Sequence, residues 1–166
     1  MTTIPSGPGS RAGSATVTRP ADTLAYSIGD LIANSIVAGS VTALAVATGK
    51  SGIASRVRLR VNDTAWKAGV IRCHFFRSPP VVGVGDNGAL NAGETYAFTE
   101  SDYLGYTEVT LAQQTSDGYV KGFASINFVF DVASGTNGLF ALLEARTAVT
   151  PGSAKIFTLT LESKNE

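Results

Sequence analysis

The chain of 166 residues has one cysteine, one histidine, one tryptophan and one methionine, and each scarcity removes a class of chemistry. With Cys73 alone there is no intrachain disulfide, and a multi-cysteine zinc site is excluded. With His74 alone, any catalytic triad has to be built around that one imidazole, and no G-x-S-x-G marks a serine for it to serve. Charge is also sparse: Asp, Glu, Lys and Arg make up 16% of the residues, and 13 basic side chains balance 13 acidic ones. A chain without net charge has no long-range field to gather nucleic acid or an anionic membrane, so neither is an expected partner. No apolar run approaches the roughly 18 residues of a membrane-spanning helix. The first twenty residues hold no hydrophobic block of the kind that drives secretion, which points to synthesis in the cytoplasm.

What is present is apolar and β-forming. Hydrophobic residues make up 44% of the chain, enough for one domain that buries about 70% of its unfolded surface. In IASRVRLRVN, Ile53, Val57, Leu59 and Val61 share one parity and Arg56, Arg58 and Arg60 the other, the period of a half-buried strand. GVIRCHFFR repeats the pattern, with Ile71, Cys73 and Phe75 inward and Arg72 and His74 outward. The DTAWKAG between them suits the turn of a hairpin. YLGYTEVTLA, YVKGFASINFVFDVA, GLFALLEART and KIFTLTLES are rich in aromatic and β-branched residues and are separated by Gly, Asn, Asp, Ser or Pro. SVTALAVAT also reads as a strand. GLFALLEAR is the ambiguous stretch, since Leu139, Leu142 and Leu143 fit one helical face as well. The fold class expected is all-β, an antiparallel β-sandwich of jelly-roll type.

Residues 1–22 differ in composition, with Pro5, Pro8 and Pro20 among Gly, Ser and Thr. Alone, such a segment buries too little apolar surface to offset its ordering entropy. The expected organisation is therefore an extended N-terminal arm over 1–22 and a single sandwich domain over 23–166.

Three constellations invite a chemical reading. GVGDNG, residues 83–88, matches G-x-G-x-x-G, but a dinucleotide loop must open a helix and Gly93 follows too soon, so a glycine-rich connection is expected. Glu100 and Asp102 flank Ser101 and are the minimum for a carboxylate pair, as in glycoside hydrolysis; an acidic loop is the plainer reading. Asp86 near those acids has no cation-loop motif behind it. No catalytic residue, metal site or cofactor is assigned.

One resemblance adds to this. TRPADTLAYSIGD, FFRSPPVVGVGDNGAL, YLGYTEV and TPGSAKIFTLTLES occur in the order found in a group of small structural proteins of tailed bacteriophages and prophages. The chain resembles that group through Thr18, Arg19, Pro20, Asp22, Thr23, Ala25, Tyr26, Gly29 and Asp30, then Ser78, Pro80, Asp86 and Asn87, then Tyr103 to Tyr106, and finally Thr150 to Leu161. Ser153-Ala154-Lys155 departs from the Gly-Thr-aromatic usual near the end, so the last turn is expected to differ. The resemblance implies a virion protein and brings no catalytic residues; with a compact β domain and a leader able to lie across a seam, the role expected is a head decoration or cement protein on the capsid surface that binds the major capsid protein, as a dimer or trimer at a symmetry axis. The contact residues expected are Ile4, Arg11, Val17, Arg19, Leu24 and Tyr26 from the arm and its junction, and Arg56, Arg58 and Arg60 from the basic strand. The alternative is a tail or fibre module that recognises host surface glycans through Trp66, Tyr96 or Tyr103.

Overall fold

A computed structural model of the protein describes residues 9–49, 51–92, 95–99 and 102–164. The strands are β1 (Ser10–Thr18), β2 (Leu31–Ile32), β3 (Leu44–Ala47), β4 (Ser51–Val61), β5 (Val70–Phe76), β6 (Asn91–Ala92), β7 (Thr95–Tyr96), β8 (Tyr103–Thr110), β9 (Gln113–Gln114), β10 (Val120–Asp131), β11 (Gly138–Ala145) and β12 (Ile156–Lys164). Among the described residues the only helical turn is the short 3-10 turn Thr64–Trp66, which Asp63 caps by accepting the Ala65 N–H.

Two antiparallel sheets face each other, one in the order β1-β12-β4-β10-β9 and the other β2-β11-β5-β8, with β3 also on β11. β2 and β3 are one interrupted strand, since they pair successive stretches of β11, at Leu143–Glu144 and at Gly138–Ala141. The excursion between them is closed where the Thr42 N–H donates to Asn34 Oδ1 at 2.8 Å. Counting that pair once and setting aside the short β6, β7 and β9, eight strands run in the orders first-eighth-third-sixth and second-seventh-fourth-fifth. That is the jelly roll, two interleaved Greek keys.

The main core lies between the sheets, where Val57, Leu59 and Val61 of β4 and Phe157, Leu159 and Leu161 of β12 meet Ile71, Cys73 and Phe75 of β5 and Leu139, Ala141 and Leu143 of β11. A second cluster (Leu31, Phe76, Val82, Leu90, Phe98 and Leu142) lies on the other face of the second sheet, beneath the connection from β5 to β8. β11 is thus buried on both faces, which is why Gly138–Leu143 is continuously apolar, and Glu144 beyond it is buried with charged partners. Leu139 and Leu143 enter one core and Leu142 the other, an alternation that settles the helix-or-strand ambiguity for the strand.

Four expectations change. Over Ser10–Thr18 the leader is not a free arm: it is the edge strand of the domain's own sheet, paired with β12 from Ser10↔Lys164 to Thr18↔Ile156. Gly13, Ala15 and Val17 turn inward, but small residues on that face hid the alternation. β4 and β5 do not form a hairpin, because their connection crosses from one sheet to the other. Ala54, not Ile53, enters the core, since a bulge at Ser55, where Arg56 faces Glu162 and Ala54 faces Ser163, inverts the parity of β4. His74 does point away from Cys73, but the β5–β8 connection covers it and leaves it fully buried.

Candidate functional site

The residues proposed from the sequence as contacts separate into an inside and an outside set. Ile4 lies outside the described residues. Arg11 is exposed on β1, and Leu24 is exposed in the loop after it. Val17, Arg19 and Tyr26, expected at the surface, are buried and present no side chain to a partner. Arg56, Arg58 and Arg60 project from the outer face of the first sheet, each about half exposed, at 50%, 53% and 51%.

The buried set forms a clasp. Arg19, at 1% exposure, spends all five of its N–H donors. Nε donates to Tyr26 Oη at 3.0 Å, and Nη1 to the Asp22 and Gly152 carbonyls at 2.6 and 3.2 Å. Nη2 donates to Asp22 Oδ1 at 2.6 Å and Asp86 Oδ2 at 3.4 Å. Asp86 Oδ1 also accepts from Tyr26 Oη and from the Ala33 N–H, both at 2.7 Å. Burial pushes the Tyr26 phenol above its ordinary range and raises the Asp86 carboxyl against the pull of these donors. The TPGSAK turn docks on the same spot: the Arg19 N–H donates to the Lys155 carbonyl at 3.0 Å and the Ala154 N–H to the Pro20 carbonyl at 3.2 Å. Ala154 there has φ 51°, a left-handed conformation in which glycine is usual. Nothing in the sequence spacing announced the clasp, because its members lie up to 133 residues apart.

GVGDNG is the other wall of this clasp and opens no helix. A Cβ on Gly85 would stand 2.1 Å from the Ile36 carbonyl oxygen, so this glycine allows two backbones to meet. Both carboxylate oxygens of Asp86 are engaged by protein donors.

A second buried constellation sits on the outer side of the second sheet. His74 Nε2 lies 2.7 Å from Glu144 Oε2 and Nδ1 lies 2.9 Å from Tyr103 Oη. A neutral ring that donates from Nε2 and accepts the Tyr103 hydroxyl satisfies both contacts. Burial lowers the His74 pKa. Burial also works to raise that of Glu144, but hydrogen bonds from His74 and from Arg146 Nη1 at 2.9 Å hold it below its ordinary value. Arg72 donates to Glu108 Oε1 at 2.8 Å and to Tyr96 Oη at 3.2 Å, so two arginines and two glutamates neutralise one another around the ring. Tyr96 stacks on Phe98 at 4.8 Å and is half-buried, as is Tyr103, while Trp66 is fully buried. Of the three aromatics considered for glycan recognition, Trp66 is thus closed to a ligand, while Tyr96 and Tyr103 are held in the aromatic cluster around His74. Glu100 lies outside the described residues, and Asp102 accepts a hydrogen bond from Ser78 Oγ, so no paired carboxylates are described there.

The outer face of the first sheet is ordered in rows by strand register. Thr16, Thr158, Arg60, Lys121 and Gln113 form one row, Ser14, Thr160, Arg58 and Phe123 the next, and Ala12, Glu162, Arg56 and Ser125 a third. Glu162 lies 2.8 Å from Arg58 and 3.8 Å from Arg56, and Asp117 lies 3.6 Å from Arg60. The guanidinium of Arg60 also covers the Tyr119 ring at 3.5 Å. Arg58, Arg60, Lys121, Phe123, Gln113 and Thr160 surround an open hollow of about 390 Å³.

Fold and surface together define an all-β jelly-roll domain with a polar, partly basic sheet face. No protein-family model matches the chain, and no curated protein matches it. Among solved structures it is similar to the PRD1 vertex protein P5, at 13% identity and TM-score 0.38 over 93% of this chain and 73% of that one. A particle of Israeli acute paralysis virus shows 11% identity and TM-score 0.36, over 99% and 74% of the two chains. Black queen cell virus shows 11% identity and TM-score 0.31, over 95% and 69%. At these TM-scores the likenesses carry nothing about function, and the jelly-roll topology rests on the strand order itself.

Proposed function

We propose that the protein is a structural component of a tailed-phage particle, a head decoration or cement protein whose partner is the major capsid protein. A jelly roll by itself hosts unrelated functions, so the reading is drawn from the residues that carry the sequence resemblance. The observation that carries it is their convergence: Arg19, Pro20, Asp22 and Tyr26 of the first motif, Asp86 of the second and the Thr150–Leu161 segment of the last meet in one buried clasp. Residues that jointly build one structural feature are a more specific signature of a shared protein type than the same number of scattered identities. On this reading the protein adheres through a preformed surface, so association orders few side chains and no long arm over Ser10–Thr18.

Antibody-labelled electron microscopy of the particle, with pelleting of the purified protein on capsid shells that lack it, tests the proposal. Label distributed over the head, and saturable pelleting, are expected. Label confined to the tail would move the protein to a tail-associated role, and particles without label would overturn the virion reading.

A further inference from the structure

We infer that the outer face of the first sheet is a docking surface for an extended acidic segment of a protein partner; naming that partner as the capsid subunit rests on the function proposed above. In the three rows described above and the turn beside them, the face carries four cations, Arg56, Arg58, Arg60 and Lys121, against two anions, Glu162 and Asp117. On a chain with no net charge this local surplus is a feature of placement. Arg60 stands directly opposite Lys121 in the β4–β10 register, and like charges facing each other across strands destabilise a sheet. Asp117, itself 59% exposed, accepts the Thr115 hydroxyl and has Arg60 as its ion-pair partner, at 3.6 Å. Lys121 makes no ion pair among the described residues. A bound carboxylate between Arg60 and Lys121 would remove that repulsion, which gives the pair a reason to persist.

The spacing selects the class of partner. Arg56, Arg58 and Arg60 lie on alternate residues of one strand, repeating at about 6.6 Å, as do carboxylates on alternate residues of an extended peptide laid along it. The hollow beside Lys121 gives such a segment a seat, with Thr158, Thr160 and Gln113 as hydrogen-bonding neighbours. Phe123, 60% exposed, adds apolar contact area. A uniformly charged polyanion fits less well, because Glu162 and Asp117 are set among the cations and would meet its charges at every turn.

The test uses a labelled peptide of about eleven residues with Glu alternating with Ser, its Gln-for-Glu counterpart, and capsid shells, each with the full-length protein. The Glu peptide is expected to bind, more weakly as salt is added, and the Gln peptide to bind roughly tenfold less well or not at all. Replacing Arg58, Arg60 and Lys121 together by Gln should cost roughly tenfold or more in peptide affinity while the protein still unfolds in one cooperative transition, and Arg60→Lys should retain binding. Equal binding of both peptides overturns the inference, as does a sulfated polysaccharide that binds tighter than the Glu peptide. Shells that capture the triple variant as well as the parent overturn the docking face and leave the virion reading standing. Peptide binding without any shell binding supports the face and counts against the capsid as partner.

Discussion

Replacing Asp86 by alanine removes the acceptor at the centre of the clasp while adding no bulk. The Tyr26 hydroxyl and the Ala33 N–H lose an acceptor that each holds at 2.7 Å, and both sit in the interior. Each buried donor left unpaired costs about 1–3 kcal/mol. Arg19 loses its weaker anionic partner, at 3.4 Å, but keeps Asp22 at 2.6 Å, so the full 3–5 kcal/mol typical of a broken buried pair does not apply, and about 1 kcal/mol is a fair allowance. The sum is about 3–7 kcal/mol, centred near 5, a large share of the roughly 5–15 kcal/mol that holds a domain folded. For a chain of this length the central value corresponds to a fall of about 10–20 °C in the thermal midpoint. Trp66, whose ring centre is 5.7 Å from that of Tyr26, reports the transition by fluorescence in urea or heat. Tyr26→Phe, which removes one hydroxyl and leaves the carboxylate in place, should lose about 1–2 kcal/mol. A loss below about 1 kcal/mol for Asp86→Ala would refute the clasp as a major stabilising element.

Deleting residues 2–17 removes nearly all of β1 and uncovers the flank of Phe157, Leu159 and Leu161, so the midpoint should fall by at least about 5 °C. An unchanged midpoint would return that segment to the role of an arm. Gly85→Ala forces a Cβ against the Ile36 backbone and should cost about 1–3 kcal/mol in a urea titration; a neutral result would mean the two loops separate freely. The buried His74 resists protonation more than it does in the unfolded chain, so its contribution is complete above about pH 6.5 and declines as the pH falls toward its lower folded pKa. Glu144, also held low, adds a further loss as the pH drops below 4.5 toward its folded value. Urea midpoints measured from pH 8 to pH 4 should therefore fall on acidification, and His74→Gln should flatten the upper part of the decline; a flat wild-type curve would contradict this account.

Much of the architecture was written locally. Alternation in β4 from Arg56 to Val61 and in β5 assigned strands, their faces and the outward arginines, because a strand with one wet face carries its burial pattern at period two. The sandwich followed from the number of such segments. The tertiary structure decided whatever depended on a partner distant in the chain. β1 is a strand because β12 lies beside it, since Gly13, Ala15 and Ser14 carry little β preference of their own. His74 is buried because the β5–β8 connection folds across the second sheet, and the period of β5 cannot tell a solvated face from a covered one. Arg19 and Tyr26 read as surface anchors in a polar stretch, yet they close a charge-bearing interior, because Asp86 and the Gly152 carbonyl supply acceptors from 67 and 133 residues away. Local pattern records whether a side chain prefers water or its own strand neighbours; the groups that satisfy a buried charge are brought together only when the sheets pack.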